Sequence, residues 1–319
     1  MIKITIDNIP VEVEEGTSIL NAARKIGGKV VPPAMCYYSK LKKSGGKCRT
    51  CLVKVSRSSA TDERPMPKLV PSCSTLVVDG MEVQNRTSEE VMEARKAIVE
   101  MLLINHPLDC PVCDQAGECD LQNLSFEHGT TETRYEEERR EFAPVNIGDK
   151  IKLHMNRCIL CYRCVYTAEQ ITDKRLHGVL YRGDHAEIST FVENFIDNDF
   201  SGNIIDVCPV GSLTDYTSRF KNRVWFTKPM DAHRDCPKCS GKSVLWMKGE
   251  EIVRVTGRKD KYGELEDFIC NDCRFEKKKL SDWAVEGERK IERTSVISQN
   301  HYVNTKKTNI ISPVEGKMK

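Results

Sequence analysis

No apolar run in this sequence is long enough to cross a bilayer; the longest, around Ile98 to Ile104, falls far short of the ~20 residues a span requires. The Met1-Ile2-Lys3-Ile4 start has no apolar core of a secretory signal, so the chain is expected in the cytosol. Neither sign of charge prevails: the formal net charge is +2, with basic and acidic residues interspersed. Nucleic acid is therefore not an expected partner. A G-x-G-x-x-G turn, a P-loop and a nucleophile beside an evident base are all missing, so no catalytic residue and no substrate site of the chain's own is expected. No repeat of fixed length is visible either.

Cysteine, by contrast, is abundant: there are 15 in 319 residues. Without export signals these should stay thiols, and an odd count pairs poorly, so metal binding is a better reading than disulfides. Unrelated buried thiols are the plain alternative, because cysteine is also a small core hydrophobe. Spacing separates the two.

Along the chain, residues 1–15 alternate apolar and polar around Asp7-Asn8, as a hairpin would, and Ser18 to Ile26 reads as a helix closed by Gly27-Gly28. Strand, strand and helix suggest a β-grasp opening, with a return to strand at Leu52–Val55. The polar run Ser56–Lys68 looks like a surface insertion. Thr87 and Glu90 have capping-box spacing before a helix whose face carries Val91, Ala94, Ile98, Met101 and Leu102. The charge run Glu136–Glu141 reads as a solvated face and a soft boundary. Val244 to Thr256, around Lys248-Gly249, reads as a β-hairpin. The polar end should be an extended tail.

The expected fold class is therefore α+β. Five parts follow: 1–80, a 2Fe-2S ferredoxin-like β-grasp domain; 81–145, a helical 4Fe-4S segment with one histidine and three cysteines as ligands; 146–222, a ferredoxin-type 4Fe-4S domain; 223–290, a small β-rich metal domain with four cysteines; and 291–319, the tail.

Four constellations organise the cysteines. Cys36, Cys48, Cys51 and Cys73 contain a C-x2-C pair after the loop Ser44-Gly45-Gly46-Lys47. A 2Fe-2S centre needs four thiolates with such a pair on a tight loop, and Gly45 and Gly46 let backbone N–H groups approach sulfur. Zinc is the competing occupant. His106, Cys110, Cys113 and Cys119 form H-x3-C-x2-C-x5-C, in which a neutral imidazole can replace one thiolate of a 4Fe-4S cluster. His128 and His154 stand apart from any such set. Cys158, Cys161 and Cys164, spaced C-x2-C-x2-C, with a remote Cys208-Pro209, match the bacterial ferredoxin arrangement for a second 4Fe-4S cluster. Cys236, Cys239, Cys270 and Cys273 are two C-x2-C pairs flanking a hairpin, as in a zinc ribbon, with a further 4Fe-4S cluster as the other reading. All 15 cysteines are consumed, and one histidine completes the sets.

In this order the groups resemble the large iron-sulfur subunit family of respiratory complex I, NADH:quinone oxidoreductase, over roughly residues 1–290. The resemblance implies one 2Fe-2S and two 4Fe-4S clusters on the first three sets. It implies electrons arriving from a flavin/NADH-binding subunit and leaving toward quinone-module subunits. It also implies a peripheral place on the cytoplasmic side of the inner membrane, within a membrane-bound complex and without direct membrane insertion. Family members usually continue into a large molybdopterin-oxidoreductase-like domain, so a chain ending at Lys319 resembles the short form associated with Bacteroidota. Some members bind an extra cluster through C-x2-C-x3-C and a remote cysteine. Position 243 here is serine, with Cys273 as the available substitute. The competing functions are a diaphorase subunit of an NAD-linked hydrogenase or formate dehydrogenase, which resembles the first 220 residues equally well, and a zinc-only interaction protein.

Overall fold

The Asp7-Asn8 turn has both residues at positive φ, 47° and 67°, the twist a two-residue hairpin needs. It joins β1 (Ile2–Ile6) to β2 (Ile9–Val13) in antiparallel register, with Ile2 opposite Val13. In this computed structural model, residues 1–172, 177–190 and 198–290 are described. The expected tail therefore lies outside the described residues.

Helix α1 (Ile19–Ile26) is capped by Ser18, whose hydroxyl accepts from the Asn21 N–H, and it stops at Gly27, where φ is 85°. Its buried face, Ile19, Leu20, Ala22 and Ala23, lies on a sheet of order β2-β1-β5-β3-β4. The remaining strands are β3 (Leu52–Arg57), β4 (Val70–Pro71) and β5 (Glu82–Gln84), and β5 runs parallel to β1. Ile4, Ile6, Val53, Val55 and Val83 fill the space between helix and sheet. Each such aliphatic side chain contributes roughly 1.5–3 kcal/mol when fully buried. This is the expected β-grasp, and its long loop between α1 and β3 carries three cysteines.

Helix α2 (Glu89–Leu103) departs from the expected detail twice. Its cap is Ser88, which accepts from the Val91 N–H, while the Thr87 hydroxyl donates to Asp7 instead. Its buried face is Val91, Arg95, Val99 and Glu100, and Met101 is exposed. The helix is thus rotated from the purely apolar stripe, because Arg95 occupies a core position with its charge spent on backbone. Its guanidinium donates to Thr50 O (3.0 Å), Leu52 O (3.2 Å) and Asn85 Oδ1 (2.6 Å). Helix α3 (Asp120–His128) follows and packs on α2.

A three-stranded sheet, β10-β7-β6, forms from β6 (Val145–Asn146), β7 (Ile151–Leu153) and β10 (Leu213–Asp215). Between them lie α4 (Arg163–Thr172), the hairpin β8 (His177–Leu180) with β9 (Glu187–Thr190), and the short α5 (Asn203–Val207). The last sheet has order β13-β12-β11-β14, built from β11 (Lys228–His233), β12 (Ser243–Lys248), β13 (Glu251–Gly257) and β14 (Ala284–Glu288). β12 and β13 are the hairpin expected around Lys248-Gly249. Among the described residues no helix is long and apolar enough to cross a membrane.

Candidate metal centres

All 15 cysteines are free thiols, and they gather in the four expected groups. In the first, Cys36, Cys48, Cys51 and Cys73 are all buried under the α1–β3 loop. The loop's backbone donates to sulfur: Gly46 N–H to Cys73 Sγ at 3.2 Å, and Lys47 N–H and Cys48 N–H to Cys36 Sγ at 3.3 and 3.4 Å. Gly45 must be glycine, since its φ is 99° and a Cβ there would sit 3.3 Å from Cys73 Sγ. The sulfurs fall into two hydrogen-bonded pairs. The bond from Cys36, with help from Thr50, lowers Cys48 to about 5, and the bond from Cys51, with help from the Gly46 N–H, lowers Cys73 to about 6. Two pairs of sulfurs are what two irons, each taking two thiolates, require.

The second group hangs between α2, the turn Cys110–Val112 and α3, where Cys119 stands at the N-cap position. His106, Cys110, Cys113 and Cys119 line one void together with Asp109, Gln122, Arg157 and Gly211. Burial first, then the Arg157 guanidinium, holds the His106 imidazole down to about 4, so it is neutral and able to donate a lone pair. Its Nδ1 is buried without a partner among the described residues, and the residue lines the same void as the three cysteines. Arg157 is tied to Asp109 by bonds of 2.8 and 3.1 Å.

The third group encircles an apolar void lined by Cys158, Cys161, Cys164 and Cys208 with Leu153, Ile188, Val210 and Leu213. The chain winds between the first three cysteines through Leu160 (φ 51°) and Tyr162 (φ 66°), a left-handed conformation costly for such residues. Leu160 N–H then donates to Cys158 Sγ at 3.3 Å. Burial pushes the Cys158 thiol up to about 12, and Cys161 and Cys164 rise for the same reason. Four thiols disfavoured as thiolates and arranged around a void fit an electrophilic iron centre far better than solvent.

In the fourth group, Cys236 and Cys239 precede β12, and Cys270 and Cys273 flank the start of a π-helical turn, Asp272–Glu276. The four sulfurs lie within 4.8 Å of one another. Cys273 does enter this set, while Ser243 is paired in β12 with Ala232 and Gly257.

Sequence reasoning missed the residues that join the groups. Arg163, between Cys161 and Cys164, donates to Ala34 O (3.1 Å) and Tyr37 O (2.9 Å), on either side of Cys36, and to Val207 O (3.4 Å), next to Cys208. A base inside a C-x2-C-x2-C run was its signal. Gly211 passes so close to the second group that a Cβ there would meet Cys113 Sγ at 2.1 Å. Pro209 O accepts from Asp120 N–H at 3.1 Å, so the residues after Cys208 and Cys119 are hydrogen-bonded. Cys36, Cys48, Cys119, Cys161, Cys164 and Cys208 consequently share one continuous core. Cys270 and Cys273 belong to a separate one.

Three thiol sets that meet at a common core, each matched by an iron-sulfur family model, define a protein of the multi-cluster iron-sulfur class. Three family models match in succession: a 2Fe-2S iron-sulfur cluster binding domain at residues 1–88, the NADH-ubiquinone oxidoreductase-G iron-sulfur binding region at 95–134, and the ferredoxin-like domain of NADH-quinone oxidoreductase subunit 3 at 148–214. The G subunit of NADH-quinone oxidoreductase from Rickettsia bellii is 39% identical over 262 residues, 81% of this chain and 36% of the relative. The 75 kDa subunit of Reclinomonas americana NADH-ubiquinone oxidoreductase is 37% identical over 276 residues, 86% of this chain and 38% of the relative. An iron-sulfur protein 1 of mitochondrial NADH dehydrogenase from Solanum tuberosum is 36% identical over 293 residues, 90% of this chain and 38% of the relative. Across these residues the chain belongs to the family of the large iron-sulfur subunit of NADH-quinone oxidoreductase. It spans a little over a third of the length of those curated relatives. A crystal structure of an NAD+-reducing [NiFe]-hydrogenase shares the fold, with a TM-score of 0.60 at 24% identity, over 70% of this chain and 91% of that one.

Proposed function

We propose that this chain is the iron-sulfur relay of a peripheral NADH:quinone oxidoreductase arm, taking electrons from a flavin/NADH-binding subunit and passing them toward a quinone module. The observation that carries this reading is the single core shared by cysteines of the first three groups. Along this relay, Cys36, Cys48, Cys51 and Cys73 hold a 2Fe-2S cluster. His106, Cys110, Cys113 and Cys119 hold one 4Fe-4S cluster, and Cys158, Cys161, Cys164 and Cys208 hold another. Such clusters supply reversible one-electron chemistry.

The protein contributes placement and surroundings. Backbone N–H groups at Gly46, Lys47 and Leu160 donate to ligand sulfurs and favour the more negative, reduced state. Arg157 and Arg163 place fixed positive charge beside the second and third groups. Arg163 also locks the backbone beside Cys36 to that beside Cys208, which fixes the separation across which charge must pass. Leu153, Ile188, Val210 and Leu213 exclude water from the third group and limit reorganisation on electron arrival.

The test is anaerobic isolation of the membrane-associated complex with and without Cys161→Ala. Intact complex should co-purify with a flavin subunit and show one 2Fe-2S and two 4Fe-4S signals by low-temperature EPR. The variant should lose one 4Fe-4S signal and NADH:quinone electron flow together. Unchanged spectra would remove the ligand assignment, and hydrogen- or formate-dependent NAD reduction by the complex would replace this reading with the diaphorase one.

A further inference from the structure

The fourth cysteine set differs from the other three in how close its sulfurs lie. Cys236 Sγ and Cys239 Sγ are each 3.7 Å from Cys270 Sγ, and Cys239 Sγ is 3.6 Å from Cys273 Sγ. A tetrahedral ion with metal–sulfur bonds of about 2.3 Å requires sulfur–sulfur edges of about 3.8 Å. A cubane cannot produce that spacing, since each thiolate binds a different iron and projects outward from its own corner. The contrast is internal to this protein. Cys158, Cys161, Cys164 and Cys208 stand around a void, whereas among the described residues only the fourth set draws its donor atoms within 4.8 Å of one another.

We infer that Cys236, Cys239, Cys270 and Cys273 hold a single zinc ion in a closed structural site, outside the electron relay. The local backbone has the shape of two knuckles. The N–H groups of Lys238 and Cys239 donate to Cys236, Gly241 N–H donates to Cys239 Sγ at 3.4 Å, and Cys273 N–H donates to Cys270. Gly241 turns back at φ 68°, where a Cβ would meet Arg234 O at 2.0 Å. Four thiolates on a divalent ion leave two negative charges, and Arg234 Nη1 donates to Cys273 Sγ at 3.1 Å. Zinc rather than iron suits the location: Cys270 and Cys273 pack with Ala232, Leu245, Ile269 and Trp283, away from the core that links the other groups, and a redox-inert ion loses nothing there.

The ion has a mechanical task. It pins the segment from which Asn271 reaches Asn198 O (2.9 Å) and Ser201 Oγ (3.0 Å), and Arg274 reaches Asp206. Those contacts hold α5, whose C-cap is Cys208.

Metal counting tests this independently of the relay reading, because zinc and cluster iron are measured separately. The full chain in its complex, prepared anaerobically, should contain about one zinc per chain, with an X-ray absorption edge fitted by four sulfurs at about 2.3 Å. Cys239→Ser should abolish the zinc while acid-labile sulfide of the first two groups is retained. Growth with cobalt in place of zinc, in the unmutated chain, should give tetrahedral thiolate bands even if the variant does not fold. Zinc-free protein carrying about four extra irons and four extra sulfides would overturn the proposal in favour of a cluster. One extra iron without sulfide would overturn it in favour of a mononuclear iron site.

Discussion

Gly211 shows how one missing methyl group decides a metal site. A Cβ at this position would overlap Cys113 Sγ at 2.1 Å, so the thiol itself would have to swing away from its place on the void. Gly211→Ala should therefore displace Cys113, abolish the EPR signal of the His106 group, and destabilise the chain by roughly 1–3 kcal/mol while the 2Fe-2S signal persists. The grouping of the cysteines was legible in the sequence because cluster chemistry dictates short spacings. Gly211, Arg163 and Arg95 were not, because their roles arise where segments far apart in sequence meet. His177 carries a different message. It is 1% exposed, without a partner among the described residues, and burial lowers it to about 4. The unfolded chain takes up that proton near pH 6.5, whereas the folded one does so only near 4, so stability is full above the first value and falls between the two. The loss should approach roughly 3 kcal/mol, and His177→Gln should flatten that part of a melting-temperature profile recorded from pH 7 to 4.

Between elements, the pair Asp206–Arg274 joins α5 to the π-helical turn of the last sheet's domain. Burial alone would raise Asp206, yet Arg274 holds it below its usual range. Arg274→Met would strand a buried carboxylate and should cost about 3–5 kcal/mol, with loss of iron from the third group. Adding Asp206→Asn to it should recover part of the stability in denaturant unfolding; no recovery would mean that the pair is not coupled. The regular elements were largely readable beforehand. Hairpins β1–β2 and β12–β13 followed from alternation and turn residues, and α1 from Ser18 and its closing glycines. Helix α2 was read with the wrong cap and a rotated face. Thr87 is diverted to Asp7, and Arg95 is buried because three carbonyl oxygens await it, neither of which periodicity encodes.

Across the whole molecule, the end of α1 and the loop after it are gripped by the segment that follows β13. Glu264, 2% exposed, accepts from Ser39 N–H at 2.9 Å and pairs with Arg24 at 2.9 Å. Tyr262 donates to Arg24 O at 3.1 Å, Lys40 to Glu266 O at 3.0 Å, and Leu265 N–H to the Tyr38 hydroxyl. The strap lies over the loop that follows Cys36. Glu264→Gln should weaken the Arg24 pairing by about 1–3 kcal/mol and hasten bleaching of the 2Fe-2S absorbance in air, with the 4Fe-4S signals lost no faster than before. No reading of the sequence anticipated this closure, since its partners are polar residues with no motif. During synthesis, Ser39 leaves the ribosome 225 residues ahead of Glu264. A nascent chain thus presents its first cysteine loop unlatched for most of translation, and the late-arriving strap shuts the door only after Glu264 has emerged.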